Sequence, residues 1–287
     1  MSGLLAPGQL FLIAGPCVVE DDALNLRIAD HLARLAERVP GGVIYKASFD
    51  KANRSNAAAA RGPGLMDGLD ALARVRAHSG LPVLTDVHLP EQCANAACVV
   101  DVLQIPAFLC RQTDLLQAAG ATGKPVNIKK GQWMHPEGMR GAVEKVAQAG
   151  RTQEERPSDS SARSAVRARQ TGSIAVTERG TFFGYGDLVV DMRAFSRLRT
   201  ACGVPVIFDG THSVQRPGQG EHGSSGGTRE FIQPLVLAAM GAGADALFLE
   251  THPDPDHAPS DGPNMVPLDQ LDDLVDRAVE VWHACRG

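Results

Sequence analysis

The sequence lacks the paired or clustered cysteines of a secreted disulfide scaffold: Cys17, Cys93, Cys98, Cys110, Cys202 and Cys285 form no CxxC pair in 287 residues. That usage fits reduced thiols in a cytoplasm, most of them packing residues. A charged leader is also missing. The apolar run from Leu10 to Val19 has no Lys or Arg before it, the first being Arg27, so the n-region of a signal peptide is absent. Pro16, directly before Cys17, spoils a lipoprotein signal. No stretch approaches the roughly 18 apolar residues of a membrane span. Nor is there an excess of positive charge: 28 Lys and Arg against 33 Asp and Glu leave a net charge of -5, which argues against nucleic acid or an anionic membrane as partner. What is there is ordinary for a globular chain that buries a sizeable core, with 44% hydrophobic and 21% charged residues. A small-molecule partner is the expectation.

Short β-branched runs alternate with amphipathic Ala/Leu-rich stretches along the whole chain, as in a parallel sheet built from βα units. Strands are predicted over Leu10–Ala14, Val43–Ala47, Pro82–Asp86, Val100–Ile105, Pro125–Lys129, Ser173–Thr177, Pro205–Asp209 and Ala244–Glu250. Helices are predicted to begin near Asp21, Leu65, Pro90, Arg111, Pro136, Met192, Thr228 and Leu268, each with apolar residues at three- and four-residue spacing. Eight such units in this length predict a single-domain α/β fold over residues 1–287, a (β/α)8 TIM barrel. An open doubly wound sheet is the rival, weakened because no GxGxxG follows the first strand. The segment from Arg151 to Gln170, with five arginines, many serines and no aromatics, reads as a solvated, flexible insertion before the sixth strand.

In a barrel, chemistry gathers at the carboxyl ends of the strands. The predicted ends carry Cys17, Lys46, Asp86 and His88, Gln104, Lys129 and Lys130, Glu178 and Arg179, Asp209 and His212, Glu250 and His252 in turn. Two chemistries are mixed there. Lys46, Lys51, Lys129 and Arg179 are cations suited to phosphate groups; singly, each reads equally well as a rim charge in a surface ion pair. Cys17, His212, Glu250 and Asp261 offer thiolate, imidazole and carboxylates that suit a borderline divalent metal such as Zn, Fe(II), Mn or Co. Their wide separation makes this a weak motif by spacing, and a packed cysteine or a satisfied core histidine is the alternative. Asn53, Arg54 and Ser55 form a polar stretch able to grip a sugar phosphate, or simply a turn ending in an N-cap serine. Gly226 and Gly227 read either as an anion site at a helix N-terminus or as a hinge.

Taken together, IAGPC at Ile13–Cys17, YKASFDKANRS at Tyr45–Ser55, TDVH at Thr85–His88, QIPAFLCRQTDL at Gln104–Leu115, NIKKGQ at Asn127–Gln132, FDGTHSVQ at Phe208–Gln215 and ETHPDPDHA at Glu250–Ala258 resemble the 3-deoxy-D-manno-octulosonate 8-phosphate synthases. This family is related to the 3-deoxy-heptulosonate phosphate (DAHP) synthases. The resemblance covers nearly the whole chain, and KANRS is similar to this synthase rather than to the DAHP enzymes. It implies an enzyme that condenses phosphoenolpyruvate with D-arabinose 5-phosphate and water, a step toward lipopolysaccharide. A DAHP synthase acting on erythrose 4-phosphate and a non-catalytic phosphosugar- or metal-binding barrel are the alternatives. Cys17, where other members carry Asn, places the chain with the metal-dependent class, with His212, Glu250 and Asp261 at the remaining ligand positions. Carried over by position, Lys51, Asn53, Asp86 and His212 are expected to be catalytic. Lys46, Gln104, Ala107, Lys129 and Arg179 are expected to bind phosphoenolpyruvate, and Asn53, Arg54, Ser55, Asp86 and Arg111 the sugar phosphate. The family's tetramers imply that Phe108 and Arg111 reach a neighbouring subunit's site. Asn56 and the alanines after it depart from the family's usual Ser-Ile-His.

Overall fold

Alternation along short parallel strands divides the interior into two cores. The computed structural model describes residues 4–52, 61–150, 173–183, 186–219 and 226–286. Its barrel strands are β1 (Phe11–Gly15), β2 (Val43–Lys46), β3 (Val83–Asp86), β4 (Val102–Ile105), β5 (Val126–Lys129), β6 (Ile174–Glu178), β7 (Val206–Asp209) and β8 (Ala246–His252). Each pairs in parallel with the next, and β8 returns to β1 through Phe11↔Ala246 to Gly15↔Glu250, so the sheet closes. Closure rules out the open doubly wound alternative. The helices that follow the strands are α1 (Asp22–Leu35), α2 (Leu65–Ser79), α3 (Pro90–Val99), α4 (Thr113–Ala121), α5 (Arg140–Ala149), α6 (Ala194–Cys202), α7 (Ile232–Gly241) and α8 (Leu271–Arg286).

Residues of one parity, such as Leu12, Tyr45, Val83, Leu103, Ile128, Val176, Phe208 and Leu247, face outward into the large core shared with the helices. Those of the other parity, Phe11, Ile13, Ile44, Leu84, Val102, Ala175, Ile207, Ala246 and Phe248, fill the barrel and are joined by Leu5 from the segment before β1. Two residues on from an inward apolar side chain comes an inward polar one: Lys46 after Ile44, Asp86 after Leu84, Gln104 after Val102, Thr177 after Ala175, Asp209 after Ile207, Glu250 after Phe248. The pleat therefore aims these groups into the mouth.

Element starts shift by a few residues from the sequence expectation, for identifiable reasons. Pro82, Pro125 and Pro205 have no N–H for the ladder. Asp101 and Asp245 leave the strands because their carboxylates accept the N–H groups of Val83 and Val206 at 3.0 and 2.8 Å. The helices expected near Pro136, Thr228 and Leu268 open with 3₁₀ turns at Pro136–Met139, Arg229–Phe231 and Leu268–Gln270. Gly226 and Gly227 pair antiparallel with Arg216 and Gln215. The 151–170 insertion lies outside the described residues.

Packing of α4 on α5 depends on one missing side chain. A Cβ on Gly120 would stand 2.3 Å from the Val146 carbonyl oxygen, and backbone cannot rotate away. Gly120→Ala is expected to lower stability by about 2 kcal/mol despite alanine's better helix propensity. Thermal unfolding checks this; an unchanged or raised melting temperature would contradict the contact.

Candidate active site

The carboxyl ends of the strands hold a buried ring of alternating charge. A hydrogen-bonded chain crosses from β6 to β3: Thr177 Oγ1 donates to Asn127 Oδ1 (2.7 Å), Asn127 Nδ2 to Gln104 Oε1 (2.8 Å), and Gln104 Nε2 to Asp86 Oδ1 (2.7 Å). Ser48 Oγ donates to Asp86 Oδ2, and Lys51 Nζ to Ser48 Oγ at 3.0 Å. Burial alone would favour neutral Asp86, but Lys46, Lys51 and Lys129 together hold its carboxyl well below the usual range. Burial likewise opposes the Lys51 ammonium, yet Cys17, Glu250, Asp86 and Asp261 outweigh it and push its pKa up. Lys51 is therefore a cation.

Beside this chain, Cys17, Glu250 and Asp261 offer ligand atoms that all lie within 4.8 Å of one another and could hold a metal ion. Gly15 permits the approach of β1 that brings Cys17 in, since a Cβ there would meet the Lys46 carbonyl oxygen at 2.2 Å. Asp261 has a left-handed backbone (φ 55°), rare outside glycine, and its carboxylate accepts from Cys17 Sγ (3.1 Å), Ser260 Oγ (2.8 Å) and Gln215 Nε2 (2.8 Å). His212, expected as a fourth ligand, stands beside this group but is not one of the three. Asp209 Oδ2 lies 2.8 Å from its Nδ1 while Asp209 Oδ1 accepts its backbone N–H at 2.8 Å. With a proton on Nδ1, as that carboxylate requires, a neutral ring would turn the Nε2 lone pair toward Glu250 Oε2, 3.7 Å away. Glu250 Oε2 is buried with no hydrogen-bond partner. Two bare acceptors facing each other in a dry site are unfavourable unless a cation or a proton lies between them. The donor set thus fits a divalent ion. Burial, then Glu250, pushes the Cys17 thiol well above its ordinary pKa, a bias that direct coordination to a cation reverses.

The cations sit alongside. Lys46 Nζ donates to Glu250 Oε1 (2.5 Å) and the Cys17 carbonyl (2.9 Å), so it faces the ligand cluster. Lys129 Nζ donates to Asp209 Oδ2 (2.7 Å) and lies 3.5 Å from the Phe248 ring centroid. Arg179 Nη2 donates to Gln215 Oε1 (2.5 Å), whereas its Nη1 is buried without a partner. Burial lowers the pKa of Lys129 and Arg179, Asp209 being the first charge to oppose it in each case. Ala107 and Gln104 are buried between β4 and its 3₁₀ turn.

Arg111 is exposed and not part of the buried ring; its carbonyl accepts from Lys145 Nζ at 3.3 Å. Phe108, 47% exposed, packs on Trp133 with centroids 5.7 Å apart. Asn53, Arg54 and Ser55 lie outside the described residues. Sequence reasoning left Asp209, Ser48, Asn127 and Gln215 without roles. The inward parity of Asn127 and Asp209 was the available signal; Gln215 had none.

Lys130 points out of the ring. Its Nζ donates to Thr181 Oγ1 (3.0 Å) and to the carbonyls of Gly131, Met134 and Gly180 (3.4, 3.4 and 3.5 Å), with Glu178 Oε1 at 3.4 Å. It ties the loop after β5 to the loop that carries Arg179. Burial raises the Glu178 pKa and lowers that of Lys130, so both charges depend on each other. Lys130→Met is expected to destabilise the fold by about 3–5 kcal/mol, because it strands a buried carboxylate. Lys130→Met/Glu178→Leu should recover part of that loss in chemical denaturation; a double variant as unstable as the sum would contradict the pairing.

The sequence profile of the DAHP synthetase I family matches residues 7–284. Curated relatives named "2-dehydro-3-deoxyphosphooctonate aldolase" are close in sequence. The Rhodopseudomonas palustris (strain TIE-1) protein is 52% identical over 271 residues, 94% of this chain and 87% of that protein. The Nitrobacter winogradskyi protein is 53% identical over 268 residues, 93% and 86%. That of Bradyrhizobium diazoefficiens is 52% identical over 266 residues, 93% and 87%. With a closed (β/α)8 barrel and a profile match over almost its full length, the chain belongs to the DAHP synthetase I family, alongside the 2-dehydro-3-deoxyphosphooctonate aldolases.

Proposed function

We propose that this chain is an enzyme that joins phosphoenolpyruvate to D-arabinose 5-phosphate with uptake of water, giving 3-deoxy-D-manno-octulosonate 8-phosphate and inorganic phosphate. The names of its relatives support the reaction. The single observation that carries the site assignment is a pair of orphaned buried atoms in one mouth: the acceptor Glu250 Oε2 and the donor Arg179 Nη1. The first is open to a cation or a donor, and the second to an anion or another acceptor.

On this reading Arg179 and Lys129, backed by Lys46, hold the phosphoenolpyruvate phosphate, and Gln104 and Ala107 line its pocket. Lys51, kept protonated by its acidic neighbours, lies beside the new carbon–carbon bond and offsets charge that develops on the aldehyde oxygen. Asp86, held ionised, and Asn53 accept from or donate to the sugar hydroxyls, while Arg54 and Ser55 grip the sugar phosphate, joined by Arg111 of a neighbouring subunit in a tetramer. The C3 carbon of phosphoenolpyruvate bonds to the sugar's aldehyde carbon, water adds at C2, and phosphate leaves with C–O cleavage. Cys17, His212, Glu250 and Asp261 would hold a divalent metal, with Zn, Fe(II), Mn and Co all compatible with that donor set. When bound, such an ion supplies Lewis acidity to an oxygen ligand. A cytoplasm, where thiols stay reduced, suits Cys17 in that role, and among the described residues no helix is long and apolar enough to cross a membrane. The family's name also carries a DAHP synthase reading with erythrose 4-phosphate; the KANRS segment and the relatives' names favour the five-carbon sugar.

Phosphate release from phosphoenolpyruvate should require arabinose 5-phosphate, vanish on chelation and return with a divalent ion. Release indifferent to chelator would overturn the metal assignment, and preference for erythrose 4-phosphate would overturn the sugar. Asp209→Asn, which removes the carboxylate that fixes the His212 tautomer, is expected to weaken divalent-ion binding roughly 10–100-fold in equilibrium dialysis. Unchanged affinity would remove His212 from the ligand set.

A further inference from the structure

Between Arg179 and Asp261 stands one neutral side chain with no role in the proposed reaction. Gln215 follows the 3₁₀ turn His212–Val214, and its two amide atoms are committed to opposite sides: Oε1 accepts from Arg179 Nη2 at 2.5 Å, and Nε2 donates to Asp261 Oδ1 at 2.8 Å. An amide has one carbonyl and one NH2, so these partners fix its orientation without ambiguity. Its backbone is fixed too, because Gln215 pairs with Gly227 and Gly227 is pressed against the buried Asn264 side chain, leaving no room for a Cβ. Asn264 in turn follows the Asp261–Gly262 turn, which Arg229 Nη2 clamps through the Gly262 carbonyl at 2.8 Å.

We propose that Gln215 is a positioning residue that couples the cation site to the anion site, so that occupancy of either tightens the other. This rests on the assignment of Asp261 to a metal and Arg179 to the phosphate. An ion on Asp261 fixes the carboxylate that accepts from Nε2. The fixed amide then holds Arg179 Nη2, and the planar guanidinium thereby aims Nη1, its orphaned donor, at the anion. The chain also polarises in one direction, since donation from Arg179 to the amide oxygen strengthens the amide N–H toward Asp261. Coupling of this kind is reciprocal by thermodynamic necessity. Cation and anion also attract directly across the mouth, and that part does not pass through Gln215.

The test is a coupling measurement. Co(II) is titrated into the full-length protein and followed by its thiolate-to-metal absorption band, with and without saturating phosphoenolpyruvate and with no sugar present. The parent protein should bind Co(II) at least roughly 5-fold more tightly with phosphoenolpyruvate, the lower end of typical couplings. Gln215→Met, which keeps length but loses both hydrogen bonds, should still show the band while most of that ratio disappears. A merely structural Gln215 would weaken both affinities and leave their ratio intact, and a ratio within twofold of the parent's therefore overturns the proposal. Gln215→Ala, with the same expected loss of ratio, carries the test if the methionine variant fails to fold. Absence of any thiolate band in the parent protein overturns the metal assignment and the bridge together, whereas a normal band with an unaltered ratio overturns the bridge alone.

Discussion

Everything in the mouth of this barrel depends on charge balance in a place with little water. Lys46, Lys51, Lys129 and Arg179 are set among Asp86, Asp209, Glu250 and Asp261, and most of these side chains are almost fully buried. Each ion pays a desolvation penalty of several kcal/mol unless it is paired and hydrogen-bonded. The ring meets that demand by alternation: Lys46 on Glu250, Lys129 on Asp209, Lys51 through Ser48 to Asp86, and Arg179 through Gln215 to Asp261. The balance is near neutral but incomplete at two atoms, Glu250 Oε2 and Arg179 Nη1. Buried polar atoms elsewhere, such as Trp282 Nε1 and Asn264 Nδ2, are also unpartnered, so it is the position of these two among opposite charges in the mouth that suits them to a cation and an anion.

The barrel makes this arrangement attainable. The inner face needs apolar side chains through its middle and permits polar ones only at the ends, where loops and solvent begin. Seven of the eight short strands, β1 excepted, deliver inward polar groups through their two-residue period onto a common ring, and β5 delivers two, Asn127 and Lys129. The loops then add what strands cannot. The β1 loop brings Cys17, the β7 turn brings His212 and Gln215, and the long β8 loop brings Asp261 in a left-handed conformation held by three hydrogen bonds. Lys130 fastens the loop that follows Arg179, through Gly180 and Thr181, to the loop after β5.

The barrel was legible in the sequence because its signals are local. Strand runs such as VIYK and VIFD, and the helical spacing between them, need no knowledge of distant partners. Strand-end chemistry was legible for the same reason, so Lys46, Asp86, Lys129, Asp209 and Glu250 stand where the pattern put them. Partnership was not legible. Nothing in the spacing of residues 46 and 250 says that their side chains form an ion pair at 2.5 Å, so Lys46, read as a phosphate ligand, is also the counter-ion of a candidate metal ligand. Gln215 escaped notice because neutral amides are common on surfaces and its two partners come from residues 179 and 261. Gly227 leaves no room for a Cβ beside the Asn264 side chain, a use of glycine that the sequence does not separate from an anion cradle or a hinge. Element starts moved where prolines and capping aspartates ended the ladders.

The central claim is that the two orphaned atoms mark a cation and an anion held side by side. A crystal structure of the protein grown with Co(II) and phosphoenolpyruvate, with anomalous diffraction collected at the cobalt edge, addresses it most directly. The account requires an anomalous peak within bonding distance of Cys17 Sγ, His212 Nε2, Glu250 Oε2 and an Asp261 oxygen, with a phosphate accepting from Arg179 Nη1 and Lys129 Nζ. An anomalous peak elsewhere, or a phosphate bound away from Arg179, would contradict it.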